Sequence, residues 1–196
     1  ESSKITGFTS ELRSIVAAYD QFTQKYGQPP GDLSNATEYW NGGNGHNGIA
    51  DGNGNMIVVN ETGFWEVGQS MHHLEAAELI PRNPNTDISA AADYYSQQIP
   101  DGFYWFNGAL SSRRNILKFG APRGGGSNNN DGIFKPGELK RIDAAIDDGL
   151  PTSGKLFGYT GNDFATDGDT SNDCTVGNAY MNNHESPSCY LWYYMD

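Results

Sequence analysis

Oxygen-bearing side chains at three places in the sequence have spacings that suit a calcium ion. The segment SNNNDGIFKPGE fills residues 127–138 and has the length of an EF-hand loop. Ser127, Asn129 and Asp131 take loop positions one, three and five, and Glu138 takes position twelve. Because calcium prefers carboxylate and amide oxygens, this spacing predicts a cation site. A standard EF-hand pair is not expected, since Ser127 stands where such a loop begins with Asp.

Two further sets of acids and amides have the same chemistry. One lies in an acidic loop near the C-terminus, and its members are Asp163, Asp167, Asp169 and Asp173. The other lies in the first third of the chain, and its members are Asp51, Asn53, Asn55 and Glu61. In the alternative interpretation of all three sets, Asn, Asp and Gly only form polar turns. Both interpretations stay open at the level of sequence.

Motifs for nucleophilic, zinc or phosphate chemistry are missing from the sequence. It contains no G-x-S-x-G motif, and the glycines of 124–126 are not followed by Lys and Ser or Thr. His72 and His73 are adjacent, so on a helix they point to different faces. The same holds for Asp147 and Asp148. We therefore expect no catalytic residues, and a small secreted calcium-dependent enzyme ranks last among the functions considered.

Cys174 and Cys189 are the two cysteines of the chain. A single close pair in an otherwise cysteine-free chain predicts one disulfide, and a disulfide indicates an oxidising compartment. The alternative is a pair of buried thiols in a reducing compartment.

The clearest structural signal is an apolar stripe of helical period over residues 3–26. Polar residues fill most other positions of this segment, and Pro29 to Gly31 predict its end. The stripe, which we interpret as an assembly helix, consists of Ile5, Phe8, Leu12, Ile15, Val16, Tyr19, Phe22 and Tyr26.

Weaker signals complete an α+β fold. Helices are predicted over 63–80 and from Pro136 to Ile146, and residues 31–62 are predicted to be loop. Short strands are predicted over 56–59, 103–106, 116–119, 155–159 and 189–194. We therefore expect a long N-terminal helix packed on a small antiparallel sheet, with short helices and long loops, in one domain.

Charge and aromatic content limit the partners. The chain has 24 acidic residues against 12 Lys and Arg, a formal net charge of −12, so we expect no nucleic-acid partner. Many rings either fill the core or form a platform for sugars or a solid surface. The rings in question are Tyr94, Tyr95, Tyr104, Trp105, Trp192, Tyr193 and Tyr194.

Three stretches together carry a family resemblance. Residues 17–40 contain Phe-x-x-Lys-Tyr followed by Pro-Gly-Asp at 30–32, DGNGN fills 51–55 ahead of MHHLEAAELI at 71–80, and 141–158 read RIDAAIDDGLPTSGKLFG. Together with the C-terminal cysteine pair, they resemble type IV pilins and the pseudopilins of type II secretion. In that family an apolar-periodic helix ends in a similar motif where it meets a globular head.

The resemblance implies a pilin-like fold, with residues 1–30 as the C-terminal half of a long helix and 31–196 as the head. It implies a structural subunit of an extracellular or periplasmic filament, whose partners are copies of itself or sister subunits. It further implies an apolar segment ahead of Glu1 that anchors the subunit in the inner membrane before assembly, and calcium in a C-terminal loop. The alternative is a minor, adhesin-like head that recognises a surface or a glycan.

Overall fold

The chain begins with a helix of 25 residues, α1 (Ser2–Tyr26). The computed structural model describes residues 2–40, 48–63, 65–82, 94–109, 114–122, 130–161 and 173–195. The long N-terminal helix predicted over 3–26 is confirmed. Gly27 adopts a positive φ of 76°, and its N–H bonds to the carbonyl of Thr23, which closes the last turn.

Three shorter helices follow in the described ranges: α2 (Ala36–Trp40), α3 (Glu66–Ala76) and α4 (Pro136–Ile146). Helix α3 is shorter than its predicted range of 63–80. Glu78 takes a positive φ of 59°, and the N–H of Leu79 bonds back to the carbonyl of Leu74. This is the hydrogen-bond pattern of a Schellman cap, in which Glu78 holds the position usually given to Gly.

Seven strands complete the described part of the fold, and five of them form one antiparallel sheet. They are β1 (Tyr94–Tyr95), β2 (Phe103–Ala109), β3 (Arg114–Gly120), β4 (Leu156–Thr160), β5 (Thr175–Val176), β6 (Ala179–Tyr180) and β7 (Cys189–Met195). The sheet has the order β1-β2-β3-β7-β4, while β5 and β6 pair separately. The α+β class is therefore confirmed.

The strand predicted over 56–59 is wrong. The backbone N–H groups of these residues bond to side chains instead of a neighbouring strand. The N–H of Val58, for example, bonds to the Oδ1 atom of Asn115 at 2.8 Å. Side chains, two of them distant in sequence, thus take the donors that a strand ladder would need.

The chain divides into two compact units, and α1 contributes residues to both. In the unit made of 1–13, 95–104 and 117–194, the Phe8 ring lies 4.6 Å from that of Phe119 and 5.0 Å from that of Phe134. In the other unit, the Tyr19 ring lies 5.2 Å from that of Phe106.

Among the helices of the described residues, none combines the length and the apolar character needed to cross a membrane.

Candidate functional site

The apolar stripe of α1 is used within the chain itself. Its half-exposed members are Val16 and Tyr26. The buried members are Ile5, Phe8, Leu12, Ile15, Tyr19 and Phe22. A contact between subunits that involves α1 would therefore use the opposite side of the helix.

That opposite side carries small and polar side chains. We call it the α1 outer face, and its exposed members are Ser3, Thr6, Ser10, Arg13, Ser14, Ala17, Asp20, Gln21 and Gln24. They recur at steps of three and four, so they lie along one side of the helix. The outer face contains no large apolar residue.

The described part of the EF-hand-like segment serves local structure. Asp131 is buried, and its backbone pairs with Ala121 in an antiparallel bridge. Glu138 lies in the first turn of α4, where its Oε2 atom accepts a hydrogen bond from the N–H of Lys135 at 3.0 Å. This is half of a capping box. Ser127 and Asn129 lie outside the described residues.

Of the four calcium ligands predicted in the acidic loop, one lies within the described residues. Asp173 lies beside Cys174, and its backbone carbonyl accepts a hydrogen bond from the Ser188 hydroxyl at 3.0 Å. The other predicted ligands, Asp163, Asp167 and Asp169, lie outside the described residues.

The third set, around DGNGN, forms turns. Asp51 accepts hydrogen bonds from the backbone N–H and the hydroxyl of Thr37. The side-chain oxygen of Asn53 accepts from the N–H of Asn55, and that of Asn55 accepts from the N–H of Ile57. These oxygens therefore already have donors, as in Asx turns.

Two buried carboxyl groups, which sequence reasoning did not bring together, hold the DGNGN loop. Asp32 is 0% exposed. Its Oδ1 atom accepts hydrogen bonds from the N–H groups of Gly54 (2.7 Å) and Asn55 (3.2 Å), and its Oδ2 atom accepts from that of Met56 (2.6 Å). Burial raises the pKa of Asp32, and these donors oppose the rise.

Glu66 is the second member of this carboxyl pair. It is also 0% exposed, and it accepts hydrogen bonds from the N–H groups of Asn53 (2.8 Å) and Val59 (3.1 Å). Burial raises the pKa of Glu66 to about 7. The negative charge of Asp32 and the side-chain hydrogen bond between Asp32 and Glu66 raise this pKa as well. The pair therefore holds one proton up to neutral pH.

His73 supports the same region from α3. Its Nδ1 atom accepts a hydrogen bond from the N–H of Gly31 at 2.9 Å, and its Nε2 atom lies 3.0 Å from the carbonyl of Ala50. Burial lowers the pKa of His73 to about 4, so the ring is neutral and its Nε2–H donates to Ala50. Both ring nitrogens therefore have structural partners.

The DGNGN loop also forms one wall of a cleft of about 630 Å³. Inside the cleft, the amide of Asn115 donates to the Tyr19 hydroxyl (2.8 Å) and to the carbonyl of Met56 (3.0 Å). Asp20 and Arg114 add one charge of each sign to the lining. Asn115 therefore ties α1, the loop and β3 together within one unit.

A cluster of three aspartates closes α4. Side-chain oxygens of Asp143, Asp147 and Asp148 all lie within 4.8 Å of one another. Asp143 accepts a hydrogen bond from the Tyr180 hydroxyl at 2.6 Å, and burial raises its pKa to about 6. Asp147 accepts from the N–H of Leu156. A cation could bind here, although the aspartates already fix the turn that follows the helix.

The predicted disulfide is present. Cys174 and Cys189 are joined with a Cα–Cα distance of 5.1 Å, and both are buried. The bond ties the segment before β5 to the start of β7.

The seven rings considered for a platform divide between core and surface. Tyr94 and Tyr104 are buried. The half-exposed rings are Tyr95, Trp105, Trp192, Tyr193 and Tyr194. Trp192 and Tyr194 belong to a larger group with Phe157, Tyr159 and Tyr190, which sequence reasoning did not assemble because strand pairing is not local.

Comparison with models of protein families, with curated proteins and with solved structures found no match to this chain. Its function must therefore be inferred from its side chains and their arrangement.

Proposed function

We propose that this chain is part of a structural subunit, namely its head and the C-terminal half of its long helix, in an extracellular or periplasmic filament of the type IV pilus or pseudopilus kind. The observation that carries the proposal is α1, a 25-residue helix at the start of the fold. It buries one apolar stripe within the chain and leaves a small, polar outer face to solvent. A filament subunit needs a helix of this kind, because one element must hold the head and also lie along neighbouring subunits.

The motifs behind the family resemblance support the proposal in a second way. Asp32 of the Pro-Gly-Asp motif accepts hydrogen bonds from the N–H groups of Gly54, Asn55 and Met56. The motif that follows α1 and the DGNGN motif are therefore parts of one structural device. Because that device fixes the chain just beyond α1, it orients the start of the head on its helix.

The proposal includes an anchor and partners. An apolar segment ahead of Glu1 holds the subunit in the inner membrane before assembly, and copies of this chain or sister subunits are its neighbours. Head-to-tail contacts repeated by a helical operation leave open ends for growth. Small side chains on the α1 outer face, such as Ser10 and Ala17, allow a neighbouring helix to approach closely.

A bulky substitution on the α1 outer face tests this arrangement. Ala17 is exposed, so Ala17→Trp in the full-length protein should leave the fold of the head intact. We expect it to reduce the yield of filaments sheared from cells at least tenfold, because the indole keeps neighbouring helices apart. Filament yield is measured by immunoblotting and electron microscopy, and folding by the melting curve of the recombinant chain of residues 1–196.

Asn183→Trp is the matched control, since Asn183 is exposed between β6 and β7. We expect it to assemble as the natural protein does. Equal filament yields for the Ala17→Trp variant and the natural protein would contradict the assigned role of α1.

A further inference from the structure

Five aromatic rings form a continuous row on one face of β4 and β7. In the antiparallel register, Phe157 lies opposite Trp192 and Tyr159 lies opposite Tyr190. Tyr194 follows Trp192 by two positions, so its side chain lies on the same face of the sheet. We call these five residues the aromatic row, and all of them belong to one compact unit.

Ring contacts join the members of the row without a gap. The Tyr159 ring lies 5.6 Å from that of Tyr190 and 4.4 Å from that of Trp192. The Phe157 ring lies 6.5 Å from that of Tyr159 and 4.9 Å from that of Tyr194. The row covers residues 190–194 along β7, about 13 Å, but only two strands across, about 5 Å. This shape suits an extended ligand better than a compact one.

The aromatic row lies on the side of these strands that is turned away from the core. The alternate residues, Leu156 and Leu191, are 0% exposed and fill the other side. Phe157, Tyr159, Trp192 and Tyr194 are all half-exposed, whereas Tyr190 is almost covered at 9%. A contiguous, partly exposed aromatic surface of this kind marks an interaction site more often than scattered single rings do.

Polar groups accompany the rings. The amine of Lys118, from the adjacent strand β3, lies 4.5 Å from the centre of the Trp192 ring, a cation–π contact. Three members of the row are tyrosines, whose hydroxyls can donate and accept hydrogen bonds. The row and Lys118 together contain no carboxylate.

We propose that the aromatic row binds an uncharged polysaccharide chain. The C–H faces of sugar rings pack on aromatic rings, while sugar hydroxyls need the donors and acceptors that Lys118 and the tyrosines supply. The charge of the chain argues for an uncharged polysaccharide, since a net charge of −12 repels polyanions. The inference does not depend on filament assembly, because it concerns the isolated head.

Affinity electrophoresis tests the proposal with the recombinant chain. The probes are laminarin, xyloglucan, mannan and dextran as uncharged polysaccharides, and alginate as a polyanion. We expect at least one uncharged probe to retard the chain and alginate to have no effect. Tyr159→Leu and Phe157→Leu keep apolar volume but remove a ring, so they should weaken the retardation at least tenfold while the melting curve stays cooperative.

Trp65→Ala is the matched control, because Trp65 is 68% exposed and lies in the other unit. We expect this variant to bind as the natural chain does. The proposal is overturned by the absence of retardation with every uncharged probe, by retardation with alginate alone, or by equal retardation of the leucine variants. Dimerisation in sedimentation experiments that Tyr159→Leu abolishes would also overturn it, since the row would then be a contact between copies.

Discussion

At the Asp32–Glu66 pair, two buried carboxyl groups accept five backbone N–H groups, three on Asp32 and two on Glu66. This arrangement shows how two carboxyl groups hold the DGNGN loop in place through its backbone N–H groups. Backbone donors satisfy the carboxyl oxygens, and a shared proton relieves the repulsion that two buried carboxylates would otherwise feel. The loop is therefore coupled to protons, and its stability should depend on pH.

The pH dependence can be tested with Glu66→Gln. The pKa of Glu66 rises from its ordinary value of 4.5 to about 7 on folding, so its contribution to stability is fully present below pH 4.5 and is lost as the pH rises to about 7. The Glu66→Gln variant has no titratable group at this position. We therefore expect the difference in unfolding free energy between the natural chain and the variant to fall over this range, by up to about 3 kcal/mol.

The comparison must be made as a difference, because His73 acts in the opposite direction. The pKa of His73 falls from 6.5 to about 4 on folding, so its contribution is present above pH 6.5 and is lost as the pH drops. Urea denaturation at pH 4.5, 6 and 7.5 supplies the free energies. Glu61→Gln, on the exposed part of the same loop, is the control. A difference that does not change with pH would contradict the shared proton.

Calcium binding stays a prediction for the two C-terminal acid-rich segments. We expect calcium to raise the melting temperature of the chain, because carboxylates at 163–173 or 127–138 repel one another without a cation. If the acidic loop is the site, the double variant Asp167→Asn with Asp169→Asn loses the increase, whereas Asp143→Asn in the α4 cluster keeps it. Identical melting curves with calcium and with chelator would end this prediction.

At the scale of elements, α1 connects the fold to the proposed function, and its two sides should differ sharply in their effect on stability. Phe8 is 0% exposed and contacts the rings of Phe119 and Phe134. Phe8→Ala should therefore cost about 3–5 kcal/mol of unfolding free energy. Gln21→Ala, on the outer face, should change it by less than about 0.5 kcal/mol. Chemical denaturation measures both, and similar costs would show that the assignment of sides is wrong.

The elements also show what the sequence alone can predict. Helix α1 was predictable because its stripe repeats over several turns. The strand predicted at 56–59 failed because the side chains of Asp32, Glu66 and Asn115 take N–H groups of that segment, and Asp32 and Asn115 are distant in sequence. Helix α2 and the two-residue strands are too short to produce a periodic signal.

The candidate sites also divide into those that the sequence alone predicts and those that it does not. The cysteine pair could be predicted from composition, because a chain with two cysteines allows a single intramolecular pairing. The carboxyl pair and the aromatic row could not, since each depends on residues brought together by tertiary contacts. The available signals were Glu66, in the first turn of α3, and the alternating rings of β7. Neither signal identifies the residues that these side chains contact in the fold.

For the whole molecule, the α+β fold, the long N-terminal helix and the disulfide fit the proposed filament head. The charge fits it as well, because a net charge of −12 keeps free heads apart in solution. In the proposed filament, assembly comes from α1 and the proposed segment ahead of it, where many weak contacts add up. The aromatic row would remain available for the proposed polysaccharide.

The central claim is that this chain is a filament subunit, and immunogold electron microscopy of the organism that encodes it is the most direct test. With antibody raised against the recombinant head, we predict gold along thin filaments in sheared surface fractions, and an unassembled pool in the inner membrane. A gene whose reading frame opens at Glu1, with label confined to soluble monomer, would contradict the claim.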